Sequence, residues 1–396
     1  MQTPLTVRLS TVSSRLFWIL AASALAIRLI LISTSFGSTD AFLFTVWVDA
    51  AEKHGLLGAY RFFNGLNHPP MSMAIAVAAD RIGKAIGLEF PDIFRLLQVI
   101  ADIVTATFVY RIANRLQPSR AREYTLFFFA SPAAIFLSGF HCNSDPTMIA
   151  LLSAAVWAAT REKAAGSGVL FGLSSNIKIL PIPLAPLFLI NMKWRQRILW
   201  SAGAALILLL GFLPALGAMK NIFGYAPAAS QWGIGGTAYL VSYLAHGGYT
   251  TAVHLAAFYS QWGRYIVLAA IAALFFFYIR YKTPIAAMIG AALLTIDFLA
   301  PGFGIQYLVW PLAFVPFAVP RRLAYALNAG LSIFMFTAYT VWARELPWWY
   351  ADASKGGAHG ALIAYLALPL WLLYGAAVVA ALRNSARQLG PQQLAE

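Results

Sequence analysis

Cysteine and charged residues are both scarce in this sequence. Cys142 is the only cysteine among 396 residues, which excludes an intrachain disulfide and a metal site built from several cysteines. We expect it to be a buried, inert thiol. Charged residues make up only 11% of the chain and hydrophobic residues 60%, whereas about a quarter of a soluble domain is charged. The composition therefore predicts a polytopic membrane protein.

Several familiar catalytic signatures are also missing. The sequence contains no Walker motif, no His-Glu-x-x-His zinc motif and no Gly-x-Ser-x-Gly nucleophile turn. A cytoplasmic site for a nucleotide-sugar has no place in such a chain. The energy for any reaction is therefore expected to arrive with a substrate that is already in the membrane.

Long apolar runs predict an all-α transmembrane bundle of about twelve spans, since each run approaches the ~20 residues that a crossing requires. The runs lie at about 16–34, 94–112, 124–140, 144–160, 198–217, 263–281, 284–300, 304–319, 323–343 and 360–382. A further stretch, 166–191, is interrupted by Lys178 and several prolines. It is interpreted as two short helices that enter from the cytoplasm and return.

The basic residues predict the orientation of the bundle. The formal net charge is +14, but Lys and Arg lie in short clusters between apolar runs rather than on one surface. The positive-inside rule places such clusters in the cytoplasm, so both termini are predicted to be cytoplasmic and no nucleic-acid partner is expected. The run 69–88 is short and contains Asp80, Arg81 and Lys84, which favours a helix lying on the outer interface.

The largest predicted external loop is 35–93, with two amphipathic surface helices at about 41–54 and 69–84. Further external segments are predicted at 141–145, 218–262, 301–303 and 344–359. We expect a catalytic module over 1–217 and a more variable transmembrane module over 218–396. In this arrangement the unusual polar residues share the external face.

An acid, Asp40, follows the first apolar run. A carboxylate at this boundary suits a general base that removes a proton from a hydroxyl group. The alternative is helix capping, since Ser38, Thr39 or Asp40 can each begin the next helix. Asp49 and Glu52 are expected to solvate the polar face of that helix.

Two polar motifs accompany prolines. In Asn67-His68-Pro69-Pro70-Met71 the prolines are expected to start a helix and to direct Asn67 and His68 towards a substrate. The alternative is a stiff junction between loop and helix. His141, Asn143 and Asp145 are expected to contact a ligand or a sugar, although Asp145 also suits the cap of the helix at Pro146.

Two more polar features lie in later apolar runs. Lys178 occupies the tip of the broken stretch, where a cation is costly and is by default a functional-site hypothesis. It is predicted to stabilise a departing phosphate, with snorkelling to the interface as the alternative. Gln306 and Tyr307 are expected to contact substrate, although tyrosine at this depth is also typical of an aromatic belt. The aromatic loop 218–262 is expected either to close over a lipid or sugar or to rest on the interface.

The order of these motifs resembles the GT-C superfamily of integral-membrane glycosyltransferases. The first loop resembles that of GPI mannosyltransferase I and of bacterial polyprenol-phosphate-mannose-dependent mannosyltransferases, which are GT87-like enzymes. The residues that carry this likeness are Thr39-Asp40, Trp47-Val48-Asp49-Ala50-Ala51 and Asn67-His68-Pro69-Pro70-Met71. Asn176-Ile177-Lys178-Ile179-Leu180-Pro181 is similar to the Lys-Ile-Tyr-Pro-like hairpin of the group. The resemblance covers about residues 16–200 and Gln306-Tyr307.

The resemblance implies an inverting transfer of a mannose-like sugar from a polyprenyl-phosphate-sugar donor. The acceptor would be a hydroxyl of a lipid-linked or glycan molecule on the periplasmic face of a bacterial inner membrane. Asp40 is the implied base, and Lys178, helped by His141, is the implied phosphate-binding group. The implied substrate-binding residues are Asn67, His68, Asn143, Asp145, Gln306 and Tyr307.

Two departures from the family pattern affect these expectations. Phe42 stands where a second acid would complete an acidic pair, so no metal and no cofactor are expected. His68 replaces the tyrosine that is common before the Pro-Pro element. Two other readings remain open: a transporter of lipids or sugars, and a non-catalytic subunit of a glycan assembly complex. Transporters usually repeat their broken helices in both halves, whereas the polar breaks here precede residue 200.

Overall fold

The computed structural model describes residues 12–35, 37–63, 65–224, 237, 250–281, 283–302, 304–339 and 357–387. Every regular element in these ranges is helical, which confirms the all-α class. The helices of the first half are α1 (Ser14–Thr34), α2 (Thr39–His54), α3 (Leu56–Phe62), α4 (Pro70–Ile86), α5 (Phe90–Leu116), α6 (Ala121–Phe129), α7 (Pro132–Phe136), α8 (Asp145–Thr160) and α9 (Ala164–Ile177). Those that follow are α10 (Ala185–Leu189), α11 (Trp194–Phe212), α12 (Met219–Gly224), α13 (Thr250–Arg280), α14 (Ile285–Leu299), α15 (Val315–Ala318), α16 (Arg321–Thr337) and α17 (Gly357–Arg387).

Five of the described helices are long and apolar enough to cross a membrane. They are Ser14–Thr34, Phe90–Leu116, Trp194–Gly217, Val253–Arg280 and Tyr365–Arg387. A helix pair, Pro118–Phe129 and Pro132–His141, adds a sixth candidate if its 46° bend lies within one span. The predicted number of about twelve crossings therefore stays a prediction.

Local signals explain the helices of the first predicted loop. The Ser38 hydroxyl caps α2, and Pro70 opens α4 at a position where the missing N–H costs nothing. Helix α4 ends at Gly87, whose φ of +73° belongs to the left-handed region that glycine adopts without strain. The helices predicted at 41–54 and 69–84 are thus present as α2 and α4, with the short α3 between them. Their position at a membrane interface stays a prediction.

A compact apolar core holds these helices to α5. Phe44 and Trp47 of α2 pack in one buried cluster with Met73 of α4 and Phe94 of α5. Side chains at these positions recur on one face of each helix, which is the pattern of an amphipathic helix packed against protein. The cluster supports the N-terminal end of α2, where Asp40 lies.

The structure corrects two boundaries. A continuous span was predicted at 304–319, but the chain forms a 3₁₀ helix over Ile305–Ala313 followed by α15. Pro311 and Pro316 remove N–H donors that a continuous α-helix would need. Residues 218–262 were predicted to be a loop, yet α12 occupies Met219–Gly224 and α13 begins at Thr250.

The remainder of the two later external loops lies outside the described residues. This applies to 225–236, 238–249 and 340–356. The aromatic and histidine residues noted there are Tyr225, Trp232, Tyr239, Tyr243 and His246. Their predicted closure over a lipid or sugar stays a prediction.

The segment between α7 and α8 is buried. Helix α7 continues into a π-helical turn over Leu137–His141, and Cys142 then adopts a φ of +64°. Such turns are rare and occur frequently at functional sites. A Cβ placed on Gly139 would lie 3.2 Å from the Arg28 Cα, which is tighter than most Cβ contacts, so glycine favours the close approach of α1 to the turn.

Candidate active site

Asp40 lies in the first turn of α2, beside the segment that follows the π turn. Its Oδ2 accepts a hydrogen bond of 2.5 Å from Asn143 Nδ2 and lies 3.1 Å from His141 Nε2. Capping is the task of Ser38, whose Oγ accepts from the Asp40 backbone N–H. Within the described part of the chain, no hydrogen bond reaches Asp40 Oδ1. One carboxylate oxygen is therefore held by the protein, and the other is available to a substrate.

The surroundings keep Asp40 ionised. Burial by itself raises the pKa of this carboxyl, but the charge and hydrogen bond of His141 oppose the effect. The amide of Asn143 and the charge of Lys178 add to that opposition, and the pKa of Asp40 falls to about 2. The side chain keeps 26% of its surface exposed. Asp40 is thus a carboxylate throughout the physiological pH range.

His141 is held on both sides of its ring. Its Nε2 faces Asp40, while its Nδ1 lies 3.1 Å from Ser38 Oγ and contacts the Tyr339 hydroxyl. The Ser38 hydroxyl donates to the His141 carbonyl at 2.5 Å. Because both ring nitrogens contact protein groups, the phosphate-binding role of His141 stays a prediction.

A second polar group is built around Lys178, at the C-terminal end of α9. Its Nζ lies 2.9 and 2.8 Å from the two carboxylate oxygens of Asp145. Trp310 Nε1 donates to the same carboxylate at 2.6 Å. The Asp145 side chain therefore binds Lys178 and Trp310 and does not cap α8. An ammonium group has three N–H donors, and two of them are engaged here. One donor remains for a ligand.

Two aromatic rings complete the surroundings of Lys178. Tyr307 and Trp310 stack with ring centroids 4.1 Å apart, and Nζ lies 5.3 Å from the Tyr307 centroid. A cation over an aromatic face is stabilised by the ring quadrupole. The 3₁₀ helix Ile305–Ala313 therefore contributes to the site through both residues.

His68 lies between the two polar groups. Its ring packs against Phe44 and Trp47, with centroids 4.9 and 5.5 Å away, and the Tyr60 hydroxyl donates to its carbonyl oxygen. Burial and, to a smaller extent, the charge of Lys178 lower the pKa of His68 to about 4, against the raising effect of Asp145 and Asp40. The imidazole is therefore neutral at pH 7 and is able both to donate and to accept a hydrogen bond.

The comparison with known families gives this site a context. The sequence profile of glycosyltransferase family 87 matches residues 68–301. The chain belongs to this family. Among solved structures, ArnT from Cupriavidus metallidurans bound to undecaprenyl phosphate is similar, at 12% identity over 94% of this chain and 78% of that chain, with a TM-score of 0.45. No curated protein matches the sequence significantly. The expectation of a glycosyltransferase like those of family 87 is confirmed.

The family 87 match covers part of the site. It includes His68, His141, Asn143, Asp145 and Lys178, and it ends before the 3₁₀ helix that carries Trp310. Asp40 precedes the matched region. The structure nevertheless brings Asp40 into direct contact with His141 and Asn143, so the candidate site extends beyond the matched segment.

Three further residues discussed in the sequence analysis have no described side-chain hydrogen bond in the glycosyltransferase. Asn67 and Gln306 are half-buried, and no hydrogen bond to either side chain occurs among the described residues. Their predicted substrate contacts stay predictions. Cys142 is buried next to the site, and burial raises the pKa of its thiol to about 12. It is thus an unreactive thiol, in keeping with its interpretation as packing.

A metal-binding cluster is likewise not apparent in the part of the chain that the structure describes. No group of three or more His, Cys, Asp or Glu side chains is placed there to hold an ion. The expectation of a metal-independent enzyme stays a prediction.

Sequence reasoning missed a buried ion pair behind the site. Arg28 of α1 and Asp102 of α5 lie 2.9 Å apart, and Arg28 also donates to Ser138 at the π turn at 2.9 Å. Both residues lie within apolar runs, where ionisable side chains by themselves signal function. That signal was present in the sequence and would have identified them.

Tyr339 carried no comparable signal. It contacts His141 across 198 positions of sequence, and only the packing of α16 near the π turn brings the two together. Ser38 and Trp310 were visible in the sequence, but their partners were not. Contacts of this range depend on the complete fold.

Proposed function

We propose that this family 87 enzyme transfers a sugar from a polyprenyl-phosphate-sugar donor to a hydroxyl of a lipid-linked or glycan acceptor, with inversion at the anomeric carbon. A mannose-like sugar and the periplasmic face of a bacterial inner membrane are part of the proposal. The observation that supports it most directly is the arrangement of Asp40. Its Oδ2 contacts Asn143 and His141, no described hydrogen bond reaches Oδ1, and the charge of Lys178 contributes to the low pKa of the carboxyl group.

The chemistry requires one base. Asp40 Oδ1 would accept the proton of the acceptor hydroxyl while the hydroxyl oxygen forms a bond to the anomeric carbon. The bond from that carbon to the phosphate oxygen breaks on the opposite face, and its electron pair stays on the phosphate. Because a phosphomonoester is a good leaving group, no general acid is needed, in contrast to the paired carboxylates of glycosidases.

Lys178 would stabilise the departing phosphate. Its third N–H donor is not used by Asp145, and the negative charge on the leaving oxygen grows as the bond breaks. Asp145 and Trp310 would hold the ammonium group in place, since they fix two sides of it. His68, Asn143 and Tyr307 lie around the same space and would contact the substrates, together with Asn67 and Gln306.

The proposal is tested with the purified full chain in lipid nanodiscs. The protein is incubated with a panel of radiolabelled undecaprenyl-phosphate sugars, mannose among them, and with a membrane lipid extract as acceptor. We expect one donor to label a lipid or glycan product whose anomeric configuration is inverted, as read by NMR. Retention of configuration, or uptake into vesicles without any covalent product, would contradict the proposal.

A further inference from the structure

The last turn of α9, directly before Lys178, is held by a buried amide. Asn176 is 1% exposed, and its Nδ2 donates at 3.0 Å to the Gly172 carbonyl of α9 and at 2.9 Å to the Ile207 carbonyl of α11. Because carbonyl oxygens only accept hydrogen bonds, both contacts require the nitrogen of the amide on this side. Asn176 therefore joins the end of α9 to α11, and it takes no part in the proposed chemistry.

Glycines bring the two helices close enough for this amide to reach both carbonyls. A Cβ on Gly172 would lie 2.8 Å from the Ile207 Cβ, closer than Cβ atoms approach their neighbours in real proteins. A Cβ on Gly211 of α11 would overlap Asn176 Oδ1. The amide thus lies between its two carbonyl partners and Gly211, and it cannot turn away without losing its hydrogen bonds.

A further hydrogen bond joins the same turn to α8. The Ser174 hydroxyl donates at 2.8 Å to the carbonyl of Met148, which lies about one helical turn after Asp145. The Lys178 backbone N–H donates to the Ser174 carbonyl at 3.2 Å, and the chain becomes extended at Lys178. Together the side-chain hydrogen bonds of Ser174 and Asn176 form a clamp that fixes the end of α9 to α8, which carries Asp145, and to α11.

We propose that Asn176 is a positioning residue that holds Lys178 in the direction of the donor phosphate. The inference rests on the proposed phosphate-binding role of Lys178. Two donors of Lys178 Nζ are directed at Asp145, so the direction of the third depends on where the backbone of residue 178 lies relative to α8. The clamp fixes that backbone before a substrate binds. Such preorganisation lowers the cost of ordering a long, flexible side chain when the ligand arrives.

Loss of the Asn176 amide should loosen this arrangement without removing the charge of Lys178. Leucine has the same branched shape as asparagine but donates no hydrogen bond, so Asn176→Leu opens the clamp on the α11 side while it keeps the space between the helices filled. Lys178 would stay paired with Asp145, but its third donor would no longer be directed at one position. We therefore expect weaker binding of a phosphate by a folded protein.

The first test measures binding without turnover and therefore does not depend on sugar transfer. Farnesyl phosphate, a short polyprenyl phosphate, is titrated calorimetrically into the full chain in lipid nanodiscs. We expect Asn176→Leu to weaken its binding about ten-fold, the size of one charge-assisted hydrogen bond. Asn328→Leu is the matched control, because Asn328 is also a buried asparagine whose Nδ2 donates to a carbonyl of another helix, that of Phe127 at 3.1 Å. The control should keep the wild-type affinity.

A double-mutant cycle with Lys178 separates positioning from general packing. Lys178→Gln should weaken farnesyl phosphate binding by itself. In that background Asn176→Leu should add about two-fold or less, since no cation is left to position. Thermal unfolding should show the same loss of stability for Asn176→Leu in both backgrounds. An unchanged affinity in Asn176→Leu, or a full additional loss in the Lys178→Gln background, would overturn the inference.

Gly211→Ala tests the same clamp from the side of α11. The added methyl group would overlap Asn176 Oδ1 and displace the amide, so we expect a loss of affinity similar to that of Asn176→Leu. In an Asn176→Ala background, which lacks the amide, Gly211→Ala should add little. Gly217→Ala is the matched control, since nothing lies within 4 Å of its added Cβ, and it should bind farnesyl phosphate as the wild type does. Full affinity in Gly211→Ala would contradict the proposed link between the amide and Lys178.

Failure of this inference and failure of the proposed function give different results. A wild type that does not bind farnesyl phosphate would overturn the inference together with the phosphate site. If the wild type binds it and Asn176→Leu shows the predicted loss, but no sugar is transferred, only the proposed reaction is contradicted. Sugar transfer by a wild type whose phosphate affinity survives Asn176→Leu would contradict only the role of Asn176.

Discussion

At the scale of single residues, the site depends on a difference between the two oxygens of Asp40: protein side chains contact Oδ2 but not Oδ1 among the described residues. Asn143 and His141 both contact Oδ2, and the local charges lower the pKa of Asp40 to about 2. A group with a lowered pKa stays charged as the pH falls, until the pH approaches that value. The wild-type rate should therefore show no loss from protonation of Asp40 above about pH 4.

Asn143→Ala tests this reasoning through the pH dependence. Removal of the amide donor takes away one of the interactions that lower the pKa of Asp40, so the acid limb of the rate should move to higher pH. The rate at pH 7 should fall about ten-fold, because Oδ2 is held less well. The measurement is the transfer rate of the variant and of the wild type between pH 4 and 8. An acid limb that moves to lower pH in the variant would be inconsistent with the assigned hydrogen bond.

Lys178→Gln tests the phosphate-binding group. The variant keeps the length of a polar side chain but loses the charge, so we expect a higher KM for the donor and a rate lower by about 100-fold or more. Lys84→Gln is the matched control, since Lys84 is an exposed lysine of α4 paired with Asp80. Equal kinetics for the two variants would remove Lys178 from the mechanism.

At the scale of elements, buried charges hold α1 and α5 against the π turn. Arg28 bridges Asp102, Ser138 and the Phe129 carbonyl, and Arg95 joins Ser35 at the end of α1 to Asp92 and the Gly139 carbonyl. The turn delivers His141 and Asn143 to the site. The geometry of the turn is thus fixed by Arg28 and Arg95, which are both buried.

A double-mutant comparison tests the buried pair. Arg28→Met leaves Asp102 buried without its partner, and breaking such a pair costs about 3–5 kcal/mol. The double variant Arg28→Met with Asp102→Leu removes both charges and should recover part of that loss. Thermal unfolding of the proteins in nanodiscs measures the difference. A double variant less stable than Arg28→Met alone would contradict this account of the pair.

The elements also show how far the sequence predicts the fold. Helices such as α1, α5 and α11 follow from long apolar runs, and α2 and α4 follow from caps, prolines and amphipathic spacing. The 3₁₀ helix Ile305–Ala313 was mistaken for a span, because hydropathy does not register the missing N–H groups of prolines. In the site, the residue types at Asp40, His141, Asn143 and Lys178 were visible. Their pairing was not, since Lys178 meets Asp145 and Trp310 only in the folded bundle.

At the scale of the whole molecule, the proposed function places α2 and the basic clusters on opposite sides of the membrane. Asp49 on α2 and Arg195 at the start of α11 are both exposed and suit labelling. In a Cys142→Ala background, an impermeant maleimide should label Asp49→Cys in intact spheroplasts. Arg195→Cys should react only after the membrane is opened. Labelling of both sites, or the reverse pattern, would contradict the predicted periplasmic site and cytoplasmic termini.

Proton removal by Asp40 is the central step of the proposed reaction, and one comparison tests it directly. Asp40→Asn and Asp49→Asn make the same chemical change on the same helix, but only Asp40 contacts His141 and Asn143. With the donor found by the sugar panel, Asp40→Asn should lower the transfer rate by about 100-fold or more, the range of general base catalysis, while Asp49→Asn stays at the wild-type rate. Wild-type transfer by a folded Asp40→Asn enzyme would contradict the proposal.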